Sequence, residues 1–352
     1  MSELWDRYCE FRKVNERMHL RDGAEFLGVT EQELAQSSPT RVWLGGDVKP
    51  LVLRMRDLGP VRSIVRNSVA TQGKTAVYEN VTMTKTVGLA LNVGELDLRF
   101  FVSRWKNAFA FADSFNGLDN RCVRFFDDRG ACIQQVYATE KTDSGAWDRL
   151  IADFRKDGSP KLPESAPNDP EIKARNEKSL EGGQLADFQK DWANLKDIHH
   201  FSGLLETYGL SKARSYRFAP EGMAVKVSAD AAEDMLKQAR DAGFDLMTFV
   251  GNRGIVQIQT GKIHNVVRSM GLLNVFDQEE EERFCLHLKD SDAAEAWVCR
   301  RPTRDGVVTN LELFDDCGRS VVSFFGRREE GNPEMPAWSE VCARIASAHA
   351  VG

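Results

Sequence analysis

Residues 197 to 201, Asp197-Ile198-His199-His200-Phe201, set two imidazoles side by side, after a polar stretch and before an apolar-periodic one. Neutral imidazole is the commonest side-chain ligand of transition metals and a frequent axial ligand of haem iron. Adjacent side chains on an α-helix diverge by about 100°, so the pair cannot hold one ion from one face. A ligand role for either histidine therefore needs support from the rest of the chain. Asp197 fits a helix cap better than a catalytic acid. His19, His264, His287 and His349 occur singly and read as structural or exposed.

The elements that must position this pair belong to a chain of 352 residues, long enough for two domains and a sizeable core. Charged residues at 28% and hydrophobic ones at 42% are an ordinary balance for a soluble protein. A formal charge of −6 argues against a general nucleic-acid binder. The first residues lack a signal-peptide apolar core, and no apolar run nears the roughly 18 residues that span a bilayer. A cytoplasmic location without membrane insertion is expected. Seven cysteines with no C-x-x-C pair point to reduced thiols rather than to a zinc site or a disulfide framework.

Residues 3 to 37 read as helices, with Thr30 and Glu33 spaced as a capping box. That region looks superficially like a helix-turn-helix, but it is not basic, and DNA binding is not expected. Val48 to Leu58 reads as a helix stopped by Gly59-Pro60. From Val61 to Tyr137 short, often alternating runs are separated by Gly, Asn and Asp, as in an antiparallel meander. A helix follows from Trp147. Residues 155 to 190, rich in Pro and charge, read as a linker with helical character towards its end.

Beyond the linker the same order starts again. Phe126-Asp127-Asp128-Arg129-Gly130 matches Phe314-Asp315-Asp316-Cys317-Gly318 at an offset of 188 residues. That offset also carries Leu98 onto Leu286 and Ala108 onto Ala296, and it sets Arg99 against His287. With loops allowed to differ, Trp147 falls against Trp338. The expected architecture is α+β: an internal duplication of one module, each copy a large antiparallel sheet with flanking helices. The predicted boundaries are a first repeat over 1–154, a linker over 155–190 and a second repeat over 191–352, which contains the histidine pair.

Several stretches form a recognisable set: Leu96-Asp97-Leu98-Arg99-Phe100, Asp197-Ile198-His199, Phe249-Val250-Gly251-Asn252-Arg253-Gly254, Ala296-Trp297-Val298, Arg301-Pro302-Thr303 and Leu311-Glu312-Leu313-Phe314. In order and spacing they resemble the bacterial haemin-transport and haem-degrading proteins of the HemS/ChuS type, over nearly the whole chain. The resemblance implies one haem (iron protoporphyrin IX) in a cleft of the second repeat, closed by part of the first. It implies His199 as the proximal iron ligand and Arg99 as the distal residue facing the iron through water. It also implies Lys212, Arg301 and Arg328 as cations for the propionates. His200 has no fixed counterpart and reads as an alternate ligand. A tyrosine common in the family is Phe325 here, which removes one polar contact to a propionate.

These residue types suit such a site. Arginine stays protonated, so Arg99 can donate to an iron-bound oxygen species without competing as a ligand. Two function classes stay open. In the first, haem is degraded oxidatively and its iron released, with Arg99 and His199 as catalytic residues and an electron donor as partner. In the second, a non-catalytic haem chaperone delivers imported haem to a separate haem oxygenase. Degradation is placed first. The histidine pair favours carriage, because ligand exchange gives a route to release. A haem-responsive regulator is a third class, and the absence of a basic recognition helix counts against it.

Overall fold

The computed structural model describes residues 2–15, 19–115, 118–163, 170–276, 283–329 and 331–351. The chain forms two compact units, one of residues 1–65, 73–167 and 252–257, the other of 66–72, 168–251 and 258–352.

The first unit opens with α1 (Glu3–Val14), α2 (Leu20–Leu27) and α3 (Glu31–Ser37). Thr30 caps α3 by accepting from the Glu33 N–H at 3.1 Å, which is the N-cap half of the capping box read from the sequence. Then come β1 (Val42–Gly45), α4 (Val48–Arg54), β2 (Val61–Arg66) and β3 (Ala70–Ala76). Three short strands follow: β4 (Val81–Met83), β5 (Gly88–Ala90) and β6 (Asp97–Phe100). The unit closes with β7 (Trp105–Phe115), β8 (Leu118–Asp127), β9 (Cys132–Ala138) and α5 (Ser144–Phe154). Strands run antiparallel in the order β1-β7-β8-β9-β2, and β6-β5-β4 form a second antiparallel ladder. Helices α1 to α3 cover the long strands through a cluster that includes Tyr8, Leu34, Phe109 and Phe126. The expected turn between β8 and β9 is present. Asp127 Oδ1 accepts from the N–H of Arg129 and Ala131, and Gly130 takes φ +77°, which an L side chain rarely adopts.

The second unit begins with α6 (Pro170–Glu177), α7 (Gly182–Ala193), α8 (His200–Tyr208) and α9 (Lys212–Tyr216). It continues with β10 (Ala224–Val227), α10 (Ala231–Ala242), β11 (Leu246–Gly251) and β12 (Ile255–Gly261). The strands β13 (Asn265–Ser269), β14 (Leu272–Phe276) and β15 (Phe284–Leu288) follow. The last elements are β16 (Glu295–Thr303), β17 (Gly306–Phe314), β18 (Ser320–Gly326) and α11 (Pro336–Ala348). The strand order is β10-β16-β17-β18-β11, again antiparallel, with β15-β14-β13 as the second ladder. Phe188, Trp192, Phe201, Tyr216, Trp297 and Phe314 join helices α7 to α9 to β16 and β17.

Apart from α6, each helix and strand of the first copy has its counterpart in the second, in the same order: α1–α3 answer to α7–α9, β1 to β10, α4 to α10, β2–β9 to β11–β18, and α5 to α11. The match extends to detail. Asn67 and Asn252 sit at the β2–β3 and β11–β12 turns. Each side-chain carbonyl accepts two backbone N–H groups of its own turn. Inside the second unit Asn67 Nδ2 donates to Val321 O at 2.7 Å, and inside the first Asn252 Nδ2 donates to Ile133 O at 2.8 Å. Trp147 and Trp338 are both buried in the closing helices.

The structure departs from the sequence reading where a linker was expected. Residues 182–193 form α7, because Phe188 and Trp192 lie four apart on one helical face and are both fully buried. The prolines of the region, the last of them Pro170, all precede α7, and its own two large aromatics give the helix a buried face. Of the expected linker, residues 164–169 lie outside the described residues. No disulfide joins any of the seven cysteines. Among the described residues no helix is long and apolar enough to cross a membrane.

Candidate functional site

Asp197, Ile198 and His199 form a turn that leads into α8. Asp197 Oδ1 accepts from the His199 N–H at 2.8 Å, and Asp197 O accepts from His200 N–H at 3.1 Å. The side chain of Asp197 thus fixes the turn, as a cap would. That N–H, helped by the neighbouring imidazoles and by Arg328, holds the Asp197 carboxyl below its ordinary range. Helix α8 buries Phe201, Leu204 and Leu205 and leaves His199 and His200 exposed. Neither imidazole has a hydrogen-bond partner among the described residues, so the ring nitrogens of both are available to an external ligand.

Below this turn lies a buried polar cluster built around Glu312 on β17, which is fully buried. Its Oε1 accepts from Lys212 Nζ at 2.5 Å, from Ser323 Oγ at 3.0 Å and from Ser320 Oγ. Its Oε2 accepts from Tyr216 Oη at 2.5 Å and from Asn310 Nδ2 at 3.2 Å. Lys212, Arg301 and these donors outweigh the cost of burial and hold the carboxyl at about 2. Arg301, also buried, donates from Nη2 to Tyr216 Oη at 2.8 Å and to Asn310 Oδ1 at 2.9 Å. Its guanidinium lies 4.7 Å from the centre of the Phe201 ring, a cation–π contact that ties the cluster to the first turn of α8. Lys212 keeps 30% of its side chain exposed, while burial of the rest pushes its ammonium below the usual range.

Arg328, just past β18, is mostly buried, and its nearest carboxylate, Asp305, lies 4.0 Å away. Its Nη1 is buried without a hydrogen-bond partner. The same arginine lines a cleft of about 550 Å³ with Asp245, Lys262, Arg327 and Glu329. The second unit therefore gathers His199, His200, Lys212, Arg301 and Arg328 around α8, α9 and the ends of β16 to β18. Two of the cations, Lys212 and Arg301, have an internal counter-charge in Glu312.

Arg99 belongs to the first unit, on β6. It pairs there with the buried carboxylate of Asp97, and its Nη1 also donates to Leu98 O at 3.1 Å. Across the ladder it stands opposite Leu89, which is 40% exposed. Its counterpart His287, on β15, is bonded to Asn274 at 2.7 Å.

The duplication allows an internal control. Where the second copy has Lys212 at the start of α9, Arg301 and Arg328, the first has Glu31 at the start of α3, Asp113 and Glu140. Where the second has Glu312, the first has Arg124. His19 precedes α2 as His199 precedes α8, but it forms a capping box with Asp22. Every charge of the cluster is inverted in the first copy.

The profile of the haemin-degrading HemS/ChuX domain matches the chain twice, at residues 28–154 and 209–345. The chain belongs to this family. The hemin transport protein HemS of Yersinia enterocolitica is 34% identical over 349 residues, covering 98% of this chain and 97% of that protein. The solved heme-degrading enzyme ChuS of Escherichia coli O157:H7 has a TM-score of 0.87 at 32% identity, covering 97% of this chain and 98% of its own. Holo-PhuS, a heme-binding protein of Pseudomonas aeruginosa, has a TM-score of 0.85 at 30% identity, with 99% of each chain covered. One matched segment lies in each copy of the module. His199 and His200 lie just before the second one.

Sequence reasoning singled out the cations but not Glu312, Tyr216 and Asn310, which organise them. A signal was available. Glu312 stands in the apolar run Leu311-Glu312-Leu313-Phe314, and a carboxylate in such a strand needs cationic partners.

Proposed function

We propose that this chain binds one haem through His199 in its second unit and degrades it oxidatively to release iron. The observation that carries the reading is the turn before α8. It presents two exposed, unpartnered imidazoles beside Arg328 and above a cluster with net positive charge, and the equivalent charges are inverted in the first copy. The donor set fits haem: a neutral imidazole for the iron, and Lys212 and Arg328 to offset two carboxylates. Bound haem would supply the redox-active iron, and the protein's part is to hold and orient it. Asp197 fixes the backbone at His199, and the Phe201–Arg301 contact fixes the helix that follows. For Arg99 a role in donating to an iron-bound oxygen species is proposed on the family resemblance alone. It would have to share its guanidinium with Asp97.

A second reading, carriage of haem to another enzyme, is favoured by one observation. His200 is as exposed and as free of partners as His199, and so offers a second ligand through which haem could be passed on. The two readings part on turnover. The haem-loaded chain would be given a reductant in air with catalase present. Degradation predicts continued loss of the Soret band and one defined open-chain tetrapyrrole. If catalase abolishes the loss, carriage is the function.

A further inference from the structure

Glu312 makes no contact with solvent, so it cannot itself meet a ligand. It nevertheless bonds both to α9, through Lys212 and Tyr216, and to the strands β17 and β18. Tyr216 and Asn310 bond to Glu312, and both also accept from Arg301, whose own Nη2 lies 3.6 Å from the carboxylate. Arg301 in turn faces Phe201, two residues after His199. The path from the carboxylate to the histidine turn is thus Glu312, Tyr216 and Asn310, Arg301, Phe201, each step a contact of the second unit.

We infer that Glu312 is a positioning residue, the buried counter-charge that holds Arg301 against Phe201 and so sets the orientation of the His199-His200 turn. The inference deepens the haem reading and rests on it for its relevance to ligand binding. A buried cation pair with a neutral partner is poorly compensated. Without the charge of Glu312 the repulsion between Lys212 and Arg301 is uncompensated, and Tyr216 and Asn310, the acceptors that aim Arg301 at Phe201, lose the carboxylate that anchors them. The start of α8 is then held by apolar packing and the Asp197 bonds of its own turn, without the Arg301 contact.

The test has two arms. In the first, amide hydrogen exchange is followed on the ligand-free full chain for Glu312→Gln, Glu312→Asp and Leu311→Ala. Leu311 neighbours Glu312 on β17 but projects from the opposite face, so its truncation weakens the same sheet without touching the cluster. Glu312→Gln should speed exchange in α8 by about tenfold or more relative to β13–β15, the scale of one charge-assisted hydrogen bond. Glu312→Asp, which keeps the charge, should restore much of the protection, and Leu311→Ala should show no preference for α8. In the second arm, the ferric haem complex of Glu312→Gln should show a shifted Soret band and altered electron paramagnetic resonance. Leu311→Ala should keep the wild-type spectra. Equal loosening of α8 in Glu312→Gln and Leu311→Ala, or none in either, overturns the positioning role. A wild-type chain that binds no haem overturns the haem reading, while the exchange arm still decides whether Glu312 orders the turn.

Discussion

Acid should reveal the Glu312 cluster as a specific fraction of the stability of the second unit. In the folded chain the carboxyl is held at about 2 by Lys212, Arg301 and four neutral donors, against an ordinary value of 4.5. A carboxyl whose folded value is depressed stabilises above its unfolded value, and that contribution is lost as pH falls towards its folded value. Between pH 7 and pH 3 the acid side crosses about 1.5 pH units of this window, which corresponds to about 2 kcal/mol. Glu312→Gln has no such group to titrate. The assay is urea unfolding of both proteins at pH 7 and pH 3, followed by the fluorescence of the tryptophans. Wild type should be the more stable at pH 7, and its advantage over Glu312→Gln should shrink by about 2 kcal/mol at pH 3. An advantage that is the same at both pH values would refute the idea that a buried, ionised Glu312 holds the cluster.

Two further variants carry expected outcomes. Arg328→Ala should move the Asp197 carboxyl up towards its ordinary range, but not fully, because the His199 N–H still bonds to it; carboxyl carbon NMR titration reads this directly. The same variant should bind haem about tenfold more weakly or worse by titration, as expected for one lost charge-assisted contact. A Cβ on Gly254 would lie 2.6 to 2.7 Å from three atoms of Ile133, so Gly254→Ala should cost about 1–3 kcal/mol in thermal unfolding. In an Ile133→Ala background it should cost less, and strict additivity would place the strain elsewhere.

How much of this was legible in the sequence varied with the physical signal. The duplication was plain, because the Phe-Asp-Asp turn and the paired tryptophans recur at near-constant spacing and each turn residue has a local reason to be there. Alternating runs located most strands, although β7 extends beyond its apolar part, Ala108 to Ala112, because pairing with β8 continues through polar residues. Helix α7 was legible only as helical character towards the end of the linker, since its two buried aromatics are outnumbered by polar neighbours. The imidazole pair stood out by type alone. What the sequence did not reveal is that Lys212 and Arg301 already share an internal carboxylate. Such a cluster joins α9, β16, β17 and β18, elements up to a hundred residues apart, and only tertiary packing brings them together.

Absorbance titration of the intact chain with ferric haem, alongside His199→Ala, His200→Ala and the double variant, decides whether His199 holds the iron of a single haem. Saturation at one haem per chain is predicted, as the charge inversion in the first copy requires, with the Soret band of the complex disrupted mainly by His199→Ala. Identical spectra in wild type and all three variants would remove the histidine pair from the iron and contradict the account.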